Sequence, residues 1–202
     1  MFREAQSFNQ DIENWDVSNV TNMRSMFYGA ISFNQDISAW DVSSVSNTEE
    51  MFNRASSFNG DIGNWNVGQV SRMRYMFQNA SSFNQDISNW DVSSVTEMYG
   101  MFFRATLFDQ DLTGWCVYGI DSLPGVFSSS SSLTAINHPI WGTCSNPPAY
   151  TNSRGCIECD SLNIGHNFTL QNGDTMIVVD RPMLDSMITG GYDVTKACVS
   201  HV

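Results

Sequence analysis

The chain has 202 residues, a formal net charge of -12 and a single lysine, Lys196, which leaves no basic footprint for nucleic acid and no polybasic patch for anionic lipid. No apolar run approaches the roughly 20 residues that span a bilayer, and no charged-then-apolar leader follows Met1. The acidic balance reads as a well-hydrated surface rather than as an acidic binding face.

Met1-Phe2 recurs as Met26-Phe27, Met51-Phe52, Met76-Phe77 and Met101-Phe102, a strict period of 25 residues. Phe83-Asn84-Gln85-Asp86-Ile87 and Trp90-Asp91-Val92-Ser93 return at the same spacing, with a degraded copy from Phe108. A fixed period of this length is the mark of stacked repeats, whose core runs along the stack instead of around one centre. The chain therefore opens in mid-repeat. Met1 is expected to be an internal residue of a longer protein, so the missing leader says little about compartment.

Each unit carries two patterns. Met23, Met26, Phe27 and Ala30 sit at i, i+3, i+4 and i+7, the spacing of one helix face. Thr21, Ser46, Ser71, Thr96 and Asp121 precede that face as N-cap residues, and Ser46 with Glu49 has capping-box spacing. Trp15 and Val17 alternate as in a strand, so Asp16-Val17-Ser18 is expected to pair in parallel from coil to coil. The expected fold is an α/β repeat solenoid, leucine-rich-repeat-like, with a short strand and a short helix per 25-residue coil and a small α+β cap segment. The expected organisation is five coils over residues 1–125, a cap over 126–145, a linker over 146–155 and a second piece over 156–202.

Three columns recur along the repeats. Trp15, Trp40, Trp65, Trp90 and Trp115 read as core rungs beside Ile12 and Val17, against the alternative of an aromatic platform for sugar rings. Asn9, Asn34, Asn59 and Asn84 are expected to bond backbone groups between coils. Asp11, Asp36, Asp61, Asp86 and Asp111 read as turn-forming or capping carboxylates, against the alternative of calcium held between rungs. Positions that differ between units are not dictated by the scaffold. They make Tyr28, Arg72, Arg74, Gln78, Glu97, Tyr99 and Arg104 the candidate binding residues, on a surface facing solvent.

The fifth unit departs from the pattern at Cys116, and Pro124-Gly125 replaces its last apolar residues. A terminal coil must cover the open end of the stack, and Cys116 with Cys144 is the natural pair to staple that cover, which implies an oxidising compartment. The motif MF-x2-A-x2-FNQDI-x2-WDVS-x-VT-x-M over residues 1–125 resembles the BspA-like leucine-rich-repeat surface proteins, the DUF285 repeat family. That resemblance implies a secreted or surface-anchored protein that adheres to an extracellular protein or matrix ligand, and it brings no catalytic residues.

Beyond the linker, residues 167–180 read as a hairpin turning at Asn172-Gly173, and residues 182–189 read as a short helix. Cys198-Val199-Ser200-His201-Val202 aligns with Asp16-Val17-Ser18-Asn19-Val20, so this piece is expected to open a second array. Cys156, Cys159, His166, Cys198 and His201 have a spacing tolerable for zinc, but disulfides of unassigned pairing among Cys156, Cys159 and Cys198 are the preferred reading, with no cofactor. No GxSxG, P-loop, HExxH or dinucleotide motif is present, and all three histidines (His138, His166, His201) lie outside the repeats. The expected function is a non-enzymatic adhesion or interaction module. The alternative is a structural spacer within a longer surface protein, with calcium as its stabiliser.

Overall fold

A computed structural model describes residues 1–144 and the backbone of three strands, Asn167–Thr169, Thr175–Val179 and Ala197–Val199. The chain divides into two compact units, 1–146 and 147–202.

In the first unit the backbone winds in coils of 25 residues, each bonded to the next by main-chain hydrogen bonds. Alternate N–H groups point to the following coil: Met23 donates to the Asn47 carbonyl at 2.9 Å, Ser25 to Glu49 at 2.9 Å, Phe27 to Met51 at 2.9 Å and Gly29 to Asn53 at 2.7 Å. The intervening N–H groups close tight turns within the coil, Met26 to Met23 at 3.1 Å, Tyr28 to Ser25 at 3.2 Å and Ala30 to Phe27 at 3.0 Å. An α-helix would need each N–H to reach the carbonyl four residues back. Half of these donors are already committed to the neighbouring coil.

The expected short helix and short strand are therefore both corrected. Between residues 1 and 144 there is no α-helix, and regular structure is confined to a 3-10 turn at Ala135–Asn137 and isolated bridges. Two positions in each coil adopt left-handed φ, one at Ser25, Glu50, Tyr75 and Gly100, the other at Glu4, Gly29, Arg54, Asn79 and Arg104. Each such residue ends a right-handed turn before it can propagate as a helix. The apolar spacing read as a helix face is instead met by successive turns, which bring Met23, Phe27 and Ala30 inward together. The parallel bridges fall at Asn22, Asn47, Arg72 and Glu97, not at Asp16-Val17-Ser18. Around that segment the chain turns twice, Trp15 donating to Ile12 at 3.1 Å and Val20 to Val17 at 2.8 Å.

The expected N-caps do different work. Ser46, Ser71 and Thr96 donate their backbone N–H to the carbonyl of Thr21, Ser46 and Ser71 at 2.9–3.0 Å, and their hydroxyls reach the same carbonyls at 3.1–3.3 Å. Glu49, read as the far half of a capping box, donates its N–H to Asn47 Oδ1 at 2.9 Å.

Phenylalanines fill the coil interior in two files. Rings at 27, 52, 77 and 102 stack 5.6–5.7 Å apart, and each lies 3.9–4.0 Å from the ring of 33, 58, 83 or 108 in its own coil. All eight are fully buried, which at roughly 1.5–3 kcal/mol per large side chain makes this double file a large apolar contribution. Trp40, Trp65, Trp90 and Trp115 are buried beside it, and each indole N–H donates to the carbonyl of Ile12, Ile37, Ile62 or Ile87 at 2.9–3.1 Å. The core reading of the tryptophans holds for these four. Trp15, in the first coil, is 41% exposed.

The far end is closed by residues 124–144. Phe127 stands perpendicular to Phe102, at an interplanar angle of 89°, and ends the parallel file. The cap's carbonyls take the last coil's donors: Phe102 bonds to Phe127 at 2.8 Å, Leu112 to Asn137 at 2.9 Å and Val117 to Thr143 at 2.8 Å. Cys116 and Cys144 are bridged there. His138 packs edge-on against Phe127 and Trp141, with Nε2 2.8 Å from Ser128 Oγ, and burial holds its imidazole below the usual histidine range.

In the second unit, β1 (Asn167–Thr169) pairs antiparallel with β2 (Thr175–Val179), which pairs in parallel with β3 (Ala197–Val199). The β1–β2 pair is the expected hairpin's ladder, with Phe168 opposite Met176. The Asn172-Gly173 turn, the 182–189 helix, the linker, and Cys156, Cys159, His166 and His201 lie outside the described residues, and Cys198 is described only as a backbone position on β3.

Gly100 has a left-handed φ, and a Cβ there would stand 2.6 Å from the Tyr75 ring, whereas one at Gly114 would meet nothing within 4 Å. Gly100→Ala is expected to cost about 1–2 kcal/mol in denaturant unfolding, with Gly114→Ala close to neutral on the same assay.

Candidate interaction face

In residues 22–29 of each coil the side chains at 23 and 27 point inward, while those at 22, 24, 25, 28 and 29 change from coil to coil and mostly reach the surface, Ser25 and Asn53 being buried exceptions. The outward positions do not serve the core, and they carry the charge variation. All six arginines of residues 1–144 fall on this strip: Arg3, Arg24, Arg54, Arg72, Arg74 and Arg104. Four glutamates share it, Glu4, Glu49, Glu50 and Glu97.

The candidate residues form one close group, and Tyr28, Gln78 and Arg104 each stand apart from it with partners of their own. Arg72 Nε and Arg74 Nη1 lie 3.6 Å from the two carboxylate oxygens of Glu97. Tyr75 stacks edge-on to Tyr99 at 5.3 Å, and the Arg74 guanidinium lies 5.8 Å from the Tyr75 ring. Arg72, Arg74, Glu97 and Tyr99 are thus brought together. Tyr28 sits apart, with the guanidinium of Arg3 4.0 Å and that of Arg54 5.6 Å from its ring. Gln78 Oε1 accepts from the buried Asn53 Nδ2 at 2.8 Å, which ties it to the scaffold. Arg104 lies over Phe103 at 5.0 Å.

Tyr75 and Arg54 were not among the candidates. Their columns, Ser25/Glu50/Tyr75/Gly100 and Gly29/Arg54/Asn79/Arg104, vary as much as the others, and the second already supplies the candidate Arg104. That variation was the available signal, and a helical reading of the segment hides it. Arg74 Nε is buried with no hydrogen-bond partner among the described residues, an arrangement that costs a donor about 1–3 kcal/mol. Tyr99 is 41% exposed beside it. The group offers two planar cations, two phenol rings and one carboxylate.

The remaining surface of the coils is acidic. Oδ1 of Asp11, Asp36, Asp61, Asp86 and Asp111 accepts the N–H two residues on at 2.9–3.0 Å, the turn-forming role expected for this column. Asp16, Asp41, Asn66 and Asp91 form the same turn at 3.0–3.2 Å. Asn34, Asn59, Asn84 and Asp109 donate their N–H to Oδ1 of the asparagine one coil back at 2.8–3.0 Å, so the asparagine column does bond backbone between coils. Among the described residues no group of three or more His, Cys, Asp or Glu side chains could hold a metal ion.

The serine hydroxyl, and after it the serine N–H, holds Asp16, Asp36, Asp41 and Asp86 below the usual carboxylate range, and at Asp41 the charge of Asp16 opposes this. A carboxyl with a depressed folded pKa stabilises the fold above its unfolded value and loses that contribution as pH falls through the folded one. The unfolding midpoint is expected to hold from neutral pH to about pH 5 and to fall below the ordinary value of 3.8. Asp41→Asn keeps the turn acceptor, as Asn66 does in the next coil, and is expected to shrink that acid loss in a pH series of thermal melts.

A family model described as "Mycoplasma protein of unknown function, DUF285" matches residues 1–81 and again residues 61–145. No curated protein and no solved structure matches the chain.

Proposed function

This chain belongs to the DUF285 family, and from that premise we propose that it is a non-enzymatic interaction module, secreted or held at a cell surface, that adheres to an extracellular protein or matrix ligand through the arginine–aromatic strip. The observation that carries this reading is the confinement of all six arginines of residues 1–144 to one strip, beside Tyr28, Tyr75 and Tyr99. Arginine and tyrosine dominate binding energy at protein interfaces, because both bring large contact area with a polar tip. The strip sits on turns whose backbone donors are already used, so docking a partner there orders few residues. The finer resemblance to BspA-like surface proteins agrees with an exported location, as does the Cys116–Cys144 pair.

The triple variant Arg72→Ala/Arg74→Ala/Tyr99→Ala is expected to weaken saturable binding to immobilised matrix proteins or whole cells at least tenfold, about 1.4 kcal/mol, while the chain stays folded by circular dichroism. Unchanged binding would remove the strip from the function. The spacer reading draws its support from the uniform coil spacing; it expects indifference to these substitutions and an effect that follows the number of coils. For the location, peptide mapping of unreduced protein is expected to recover the Cys116 and Cys144 peptides as one cross-linked species. Two free thiols in protein taken from its native source would remove that support.

A further inference from the structure

The arginine strip has a counterpart on the same molecule. Between residues 1 and 144, every acidic side chain outside the strip falls at positions 9–21 of the repeat: Asp11, Glu13, Asp16 and their equivalents, with Asp109 and Asp121, eleven carboxylates with no lysine or arginine among them. The strip itself holds six arginines against four glutamates. Residues 1–144 thus keep every cation in one segment of the repeat and most of their carboxylates in another.

We propose that the arginine–aromatic strip docks on the aspartate columns of a second copy of this chain, side by side, so that copies associate laterally. The inference rests on the proposed role of the strip as a binding face and names its partner. Both strips ride on the same coils, whose rings repeat every 5.6–5.7 Å, so Arg54 and Arg104, at one repeat position two coils apart, stand at a multiple of the aspartate spacing and two parallel stacks can align coil against coil. The aspartates keep a free oxygen for this: Oδ1 is taken by the turn, and Oδ2 is the atom left to accept from a guanidinium. On the other side, Arg54 and Arg104 have no ion pair among the described residues and are exposed.

The contact joins two different surfaces, so each added copy still presents one free strip of each sign. Such a heterologous contact grows into open assemblies and does not close as a two-fold dimer. Salt should act in two directions. Net charge makes copies repel at a distance, a repulsion that moderate salt screens within about 8 Å, while about 1 M salt, with a screening length of about 3 Å, also screens the contact itself.

The test is sedimentation velocity on the full chain over a range of protein and salt concentrations, with two charge variants. Arg54→Glu/Arg104→Glu makes both strips acidic. Ala39→Arg/Asn64→Arg/Asn89→Arg places cations at exposed positions between the aspartate columns without touching the turn-forming residues. The wild-type chain is expected to associate with rising concentration at moderate salt and to return to monomer near 1 M salt. Each variant alone is expected to be at least tenfold weaker in self-association, and the two mixed together to associate again. A wild-type chain that stays monomeric at about 100 μM, or folded variants that fail to recover association on mixing, would overturn the inference. If copies stay monomeric while Arg72→Ala/Arg74→Ala/Tyr99→Ala still loses matrix binding, only the second-copy partner falls. If association is found and matrix binding survives that triple, the extracellular-ligand reading falls instead.

Discussion

Everything in the first unit depends on the main-chain hydrogen bond from one coil to the next. It commits alternate N–H groups of residues 23–29 to carbonyls 24 residues further on. That geometry needs equal coil lengths, since one inserted residue would exchange inward for outward side chains and strand the donors. The unbroken 25-residue period is thus a hydrogen-bonding requirement. The left-handed residues at 25 and 29 and their equivalents follow from it, because the chain must turn sharply twice to keep presenting donors outward along the stack. Several of those positions hold no glycine, so each carries a conformational cost of order 1–2 kcal/mol, offset by the rung it permits.

With the backbone so arranged, side chains divide by what they owe the stack. Phenylalanine rings and tryptophan indoles continue the main-chain rungs through the core, the indoles by donating to the isoleucine carbonyl of the preceding coil. Trp15, in the first of these coils, is left partly in solvent. Aspartates and asparagines hold the corners by accepting N–H groups. Only the outward positions of 22–29 are free of these duties, and there arginine, tyrosine and glutamate collect.

Beyond the fifth coil the stack must replace the rung that a further coil would supply. At the far end, the chain supplies irregular backbone whose carbonyls replace those of a sixth coil, and turns Phe127 across the aromatic file so that no flat ring face remains open. His138 is part of that cover, packed edge-on against Phe127 and Trp141, and burial holds its imidazole below the usual histidine range.

The period, the inward residues, the tryptophan core, the aspartate turns and the Cys116–Cys144 pairing were legible from the sequence alone, because each depends on residue types recurring at fixed positions or breaking that recurrence. The variable columns were legible too, and they contain Arg72, Arg74, Glu97 and Tyr99, the group that the structure brings together. The helix and strand were misread, and with them Tyr75 and Arg54, because Met23, Met26, Phe27 and Ala30 satisfy helical spacing and turn spacing equally well. Only the tertiary structure decides which carbonyl each N–H reaches. A bond between residues 24 apart leaves no local trace in propensity or periodicity, and once it forms, the helix has lost half its donors.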